Sequence, residues 1–155
     1  MATLLHREQA RRKLAAIPPA VRSAAKQALA QSADELTEAI RAAAPQGKTG
    51  KLKKSVAQTW GGGKVRYSSL AGLTGEAGDP DLSVRISAGN SEVRYSHIVE
   101  FGSAPHINGG LFAGTEHPGT TAQPFFYSSY RRLRRRARSR ISRAVTKAIK
   151  QISQG

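Results

Sequence analysis

The sequence predicts an α+β fold: a small antiparallel sheet packed by long N-terminal and C-terminal helices. Apolar residues recur at helical spacing over residues 20–43 and again over 124–152. Between them, over residues 55–101, the period shortens to strand-like alternation interrupted by glycine turns. The composition completes the picture, since 155 residues that are 39% hydrophobic and only 6% aromatic leave room for one lean core of Ala, Leu, Ile and Val. We expect an N-terminal helical extension over residues 1–17, then a single α+β domain over 18–155 with a long loop at 102–123.

Taken in order, Leu4 to Ile17 reads as a short amphipathic helix stopped by Pro18-Pro19. The same prolines can open the next helix, because the first helical turn tolerates a missing N–H. From Ala20 to Ala43, Val21, Ala25, Leu29, Leu36, Ile40 and Ala43 mark one face of a helix that Pro45 ends. Thr49 could cap a brief turn of helix through Leu52 and Ser55. Val56 to Trp60, Gly61-Gly62-Gly63 and Lys64 to Tyr67 suggest a hairpin, followed by a Gly/Ser/Asp loop to Pro80. Leu82, Val84 and Ile86 alternate with polar neighbours as in a half-buried strand. Glu92 to Phe101 should begin as a strand and turn helical near His97. Residues 102–123 show little periodicity, and a loop this long is usually functional or ordered only by a partner. In the last element Phe126, Tyr130, Leu133, Ala137, Ile141, Ala144, Ala148 and Ile152 form a narrow apolar stripe, suited to packing on one helix such as Ala20–Ala43.

Charge is the second theme. The chain carries 25 Lys and Arg against 10 Asp and Glu, for a net +15. Residues 1–60 carry +7, residues 61–120 carry −2, and residues 121–155 carry +10 with no acid at all. The C-terminal cations are Arg131, Arg132, Arg134, Arg135, Arg136, Arg138, Arg140, Arg143, Lys147 and Lys150. Like charges at i,i+4 cost about 0.2–0.5 kcal/mol per pair, so a merely solvated face rarely accumulates them. The reading is contact with phosphates or with an acidic protein surface. A membrane reading is weaker, because the stripe has few bulky residues and no Trp. With no cysteine, no run of ~20 apolar residues and no export signal, we expect a soluble basic protein made in the cytoplasm, with no disulfide or thiolate chemistry.

No motif points to catalysis, a cofactor or a metal. Gly47-Lys48-Thr49 lacks the earlier glycine of a phosphate-binding loop, since Ala42 stands there. His97, His106 and His117, with Glu100 and Glu116 nearby, lack metal-site spacing. His97 reads better as a half-buried packing residue, and the other two as punctuation of a Pro/Gly loop. No serine sits in a G-x-S-x-G elbow.

Three strings in order carry a resemblance. Ala44-Pro45-Gln46-Gly47-Lys48-Thr49-Gly50-Lys51-Leu52-Lys53-Lys54-Ser55 fits A-P-x(3)-T-G-x-L-x-x-S, and Tyr95-Ser96-His97-Ile98-Val99-Glu100-Phe101-Gly102-Ser103 fits Y-[AS]-x-x-V-E-F-G-[ST]. His117-Pro118-Gly119-Thr120 and Gln123-Pro124-Phe125-Phe126 then lead into the basic helix. Over about residues 20–152 this resembles the neck and tail-completion family of long-tailed bacteriophages, similar to the lambda minor tail protein Z group. Ile107–Glu116 departs from the pattern as a Gly-rich insertion, and the helix before Pro18 is not part of it.

The resemblance implies a virion structural protein at the head–tail junction, a hexameric ring that caps the tail tube and joins it to the head connector. It implies no enzyme activity. The partners expected are further copies of itself, the tail tube or terminator protein, the head connector or stopper protein, and genomic DNA passing through the lumen, with no membrane. Within the motifs, Leu52 should anchor a turn, and Tyr95, Val99 and Phe101 should supply core bulk. Glu100, flanked by apolar residues, should find a cationic partner within the fold or across a subunit boundary. Glu100, Pro105, His106, His117, Pro118 and Phe125 are the expected interface residues, with 105–123 as an assembly arm. The alternative is a free basic nucleic-acid-binding protein using the Arg-rich helix, although few aromatics are available for stacking.

Overall fold

A computed structural model describes residues 17–61 and 79–154. The expected helix over 4–17 and the strand over 64–67 lie outside the described residues, except for Ile17. Helix α1 runs Pro19–Ala43, α2 Lys51–Ser55, α3 Ser96–Phe101 and α4 Phe126–Ser153. Strands β1 (Ala57–Trp60) and β2 (Val84–Ser87) pair antiparallel, and a second small ribbon joins β3 (His106–Ile107) to β4 (Glu116–His117). The α+β expectation holds.

Helix α1 begins with proline in its first turn, where no N–H is needed. It ends at Ala43 because Ala44 precedes Pro45 and is driven out of helical geometry, to φ −62° and ψ 132°. Its buried residues, Val21, Ala28, Ser32, Ala33, Thr37 and Ile40, form a stripe of mostly small side chains. Small residues let α4 approach closely, and α4 lies antiparallel along this stripe. Ser129 reaches the Ala39 carbonyl near one end of the pair, while Arg140 reaches Ser32 and Glu35 nearer the middle. At ~1.5 Å per residue, α4 is about 42 Å long and forms the spine of the molecule.

The core gathers at one end of that spine. Ile40 and Ala44 from α1 meet Leu52, Val56, Val93 and Phe125, with Leu36, Ile86, Ala88, Val99 and Phe126 packed around them. Leu52 anchors its turn as expected. Gly50 starts α2 at φ +61°, a left-handed geometry that costs a side-chain-bearing residue energy. Gly50 rather than Thr49 holds the cap position, and the Thr49 hydroxyl lies 3.5 Å from the Lys51 amide, at the limit of a hydrogen bond. Ser55 donates to the Leu52 carbonyl and accepts from the Gly89 amide, tying α2 to the chain leaving β2.

Two local expectations are corrected, and the expected hairpin of β1 with residues 64–67 lies outside the described residues. The described partner of β1 is β2, in the register Ala57↔Ser87 to Trp60↔Val84. Residues 92–95 form turns rather than a strand, because the Asn90 side chain captures the Glu92 and Val93 amides. In α3 only six residues are helical, so one narrow face packs inward. That face carries Val99 and Glu100, leaving Tyr95, His97 and Phe101 exposed.

The start of α1 is pinned to the strand approach by charge. Arg22 Nη2 lies 2.6 Å from both Asp79 carboxylate oxygens, and Asp79 Oδ1 also accepts the Asp81 and Leu82 amides. Asp81 pairs with Lys26 at 2.8 Å. The Arg22 hydrogen bond, opposed by partial burial, holds the Asp79 carboxyl below its ordinary range. Asp81 is lowered chiefly by Lys26. A carboxylate with a depressed folded-state pKa stabilises the fold above its unfolded pKa, and that stability is lost as pH falls through the folded value. Stability should therefore decline as pH drops below about 4, and Asp79→Asn should flatten this decline in urea titrations at stepped pH. A second prediction concerns Thr37, whose buried hydroxyl has no hydrogen-bond partner among the described residues. Thr37→Val removes an unsatisfied group at nearly constant shape and should raise stability by about 1 kcal/mol, read from the urea midpoint.

Candidate functional site

The four backbone amides that open a helix have no partner within it. Helix α4 brings none of its own, having no side-chain cap and no acidic residue in its first turn. Glu100 supplies what is missing. Its Oε2 accepts the Phe125 and Phe126 amides, both at 2.8 Å, and its Oε1 accepts the Tyr127 amide at 3.0 Å. The carboxylate also sits at the positive end of the helix dipole. Gln123 donates to the Val99 carbonyl at 2.7 Å, which draws the incoming chain alongside α3. Next in sequence, Gly102 has φ +76°, and a Cβ there would lie 2.6 Å from the Thr120 carbonyl oxygen. The Val-Glu-Phe-Gly string is thus a latch joining α3, the root of the following loop and the start of α4.

Glu100 therefore has a helix N-terminus for a counter-charge rather than the cationic side chain expected. Only 6% of Glu100 and 2% of Phe125 are exposed. Glu100 is enclosed against the first turn of α4 and Phe125 in the core of the same chain.

The segment after Gly102 is more ordered than its composition suggested. A bridge between Ser103 and Thr120 and the β3–β4 pairs make it a hairpin arm. His106 and His117 face each other across it, stacked at 4.9 Å between ring centroids. His117 Nδ1 accepts the Gly119 amide at 3.0 Å, and Pro105 and Pro118 flank the pair in a shallow surface cleft. The tip is a tight turn over Gly110–Phe112. Its side chains point away from the body: Leu111 is 99% exposed, Ile107 71% and Phe112 70%. Sequence reasoning passed over these three, although an apolar pair between Gly109-Gly110 and Gly114 in a polar stretch was a readable signal.

Helix α4 presents its cations outward, with two exceptions. Arg136 and Arg140 both reach Glu35 of α1, at 3.1 and 2.6 Å, and Arg140 also donates to Ser32 Oγ at 3.0 Å. Those contacts lower the Glu35 pKa, the Arg140 hydrogen bond most strongly. Arg131, Arg132, Arg134, Arg135, Arg138, Arg143, Lys147 and Lys150 are exposed, with no carboxylate partner among the described residues. At the far end of the spine, Val145, Ile149 and Ile152 of α4 face Ile17, Pro18 and Val21, forming an apolar groove of about 450 Å³. No described cluster of three or more His, Cys, Asp or Glu could hold a metal ion, and no described helix is long and apolar enough to cross a membrane.

The latch can be tested by Glu100→Gln, which keeps the shape but turns an amide donor toward amide donors. It should lower stability by about 1.5–3 kcal/mol in equilibrium denaturation. No change would mean that α4 does not depend on this carboxylate.

Comparison with known proteins gives one informative result. The family profile described as "Bacteriophage HK97-gp10, putative tail-component" matches residues 8–102. That span contains the first recognised string and all of the second but Ser103, and it reaches back before Pro18, into the segment expected to lie outside the pattern. It stops where the arm begins, leaving the third string and α4 beyond it. Searches of curated proteins and of solved structures give no match. With well over half its length matched, the chain belongs to the HK97-gp10-like family of bacteriophage tail components.

Proposed function

We propose that the protein is a structural part of the virion at the head–tail interface, a closed ring of identical copies that caps the tail tube and meets the head connector. Membership of the tail-component family carries this reading. The chain's build is consistent with it. Long antiparallel helices make a stiff post, and the latch fixes where the arm leaves that post. The exposed face of α4 offers eight cations to an anionic neighbour. We assign most of that charge to an acidic protein surface rather than to the genome. Affinity for DNA climbs steeply with the number of phosphates held, and a lumen gripping at many points would retard DNA exit.

The unpaired cations do support a second reading, a free nucleic-acid-binding protein. Against it, the described fold has no groove-reading helix pair, and its few aromatics offer little base stacking.

Native mass spectrometry of the protein, alone and with tail-tube protein, separates the two. The first reading expects a closed ring, or one that forms on the tube. A persistent monomer binding duplex DNA with a log–log salt slope of about −5 or steeper, equivalent to six or more phosphates, would replace it with the second. Limited chymotrypsin treatment gives an independent check, because the arm offers Leu111 and Phe112 and contains no Lys or Arg. Cleavage should occur there in the isolated subunit and be suppressed in the assembly. Equal cutting in both would show that the arm takes no part in contacts.

A further inference from the structure

Eight exposed cations occupy the outward side of α4 between Arg131 and Lys150, a span of about 28 Å along the helix. We propose that this face receives an α-helix of a different protein, one carrying a stripe of carboxylates, and that it meets no sister copy. This deepens the acidic-partner reading above and rests on it for the partner's place in the virion, though not for the contact itself.

The chain's own acids decide against a sister copy. Glu35, Glu38, Asp79, Asp81 and Glu92 each pair with a cation of the same chain, and Glu100 caps α4. Among the described residues this leaves two carboxylates without a cationic partner. One is Asp34, which accepts a hydrogen bond from Gln58 at 2.8 Å, and the other is Glu116 on the arm. The rest of the sequence adds no supply, since residues 1–16 hold four cations and one acid, and residues 62–78 two and one. A second copy laid on this face would therefore bring like charge to like charge, which costs affinity. The anions must come from another molecule.

The layout of the face points to a helix as that molecule's contact. At about 100° per residue, Arg135, Ser139, Ser142 and Thr146 fall along the middle of the outward side, opposite the line that packs on α1, with Arg138 and Arg143 to either side. The three small hydroxyl-bearing residues let a second backbone approach closely. Shallow clefts open there, one over Arg138, Ser139, Ser142 and Arg143 and the next over Thr146, Lys147 and Lys150. Arg143 is folded back along its own helix, its Nε donating to the Ser139 carbonyl at 3.2 Å, which leaves its terminal nitrogens for a carboxylate. Arg131 and Arg135, Arg134 and Arg138, and Arg143 and Lys147 are like charges at i,i+4 that weaken the isolated helix. A carboxylate between the members of each pair turns repulsion into attraction. A helix laid along α4 repeats its side chains at the same pitch, so a stripe of Glu or Asp keeps step with the row. The phosphates of a duplex wind around its axis and leave a rod of this length after a short contact.

The test uses the full-length protein and two labelled Ala-rich helical peptides of equal composition. One carries its Glu residues along a single face, and the other has them spread around the helix. Fluorescence anisotropy at low salt should show the striped peptide binding about tenfold more tightly or better, with affinity falling as salt is added. Arg135→Gln/Arg138→Gln should cost about tenfold in that affinity, whereas Lys48→Gln/Arg94→Gln, which removes the same charge from exposed positions elsewhere, should cost little. Circular dichroism checks that both variants keep their helices. Equal binding of the two peptides, binding of neither, or tighter binding of a short DNA duplex would overturn the inference. Contact with sister copies is read separately, because the chain has no cysteine and Ser142→Cys adds a single thiol at the middle of the face. A maleimide should modify it equally fast at every protein concentration, and slowing as copies associate would overturn the inference too. Native mass spectrometry of the same samples gives the oligomeric state independently. A closed ring that ignores the striped peptide sinks this inference alone, and a monomer that prefers it sinks the ring and keeps the contact.

Discussion

The carboxylate of Glu100 at the head of α4 is the constraint from which the architecture follows. A long, strongly basic helix is a poor candidate for self-sufficient stability, since its cations repel along both flanks and its first turn has no cap. The buried Glu100 carboxylate, accepting three amide hydrogen bonds, supplies the missing cap at the N-terminal end. These bonds also fix the helix start relative to α3, and through Phe125 they fix the core. The arm leaves the body between the two halves of this latch, after Gly102 and before Gln123. Its direction is therefore set by the same contact.

A second constraint acts along the spine. Small residues on α1 allow close approach, and Glu35 neutralises part of the charge on the facing side of α4 through Arg136 and Arg140. The other cations remain outward. The packing of α1 on α4 thus sorts ten like charges into two that serve the fold and eight that remain available to a partner. The arrangement is asymmetric along the spine as well, with the core and arm at one end and an apolar groove at the other.

Family membership rests on residues 8–102, the part of the chain containing α1, the β1–β2 pair and the latch carboxylate. The arm and α4 lie outside that match. The latch spans the boundary: the carboxylate lies within the matched region and the amides it holds lie outside.

The sequence by itself determined the two long helices, the strand after Ser55, the strand around Val84 and the cationic face. Each is written in local periodicity or composition, which the chain carries whatever it packs against. Tertiary structure alone decided three things. It gave Glu100 a helix end instead of a cation, and it paired β1 with a strand more than twenty residues away. It also folded residues 103–120 into a hairpin whose tip is exposed. In each case the question was which distant backbone group would satisfy a given donor or acceptor. Periodicity cannot answer it, because hydrogen-bond partners are fixed by proximity in space, and that proximity exists only once the core has closed.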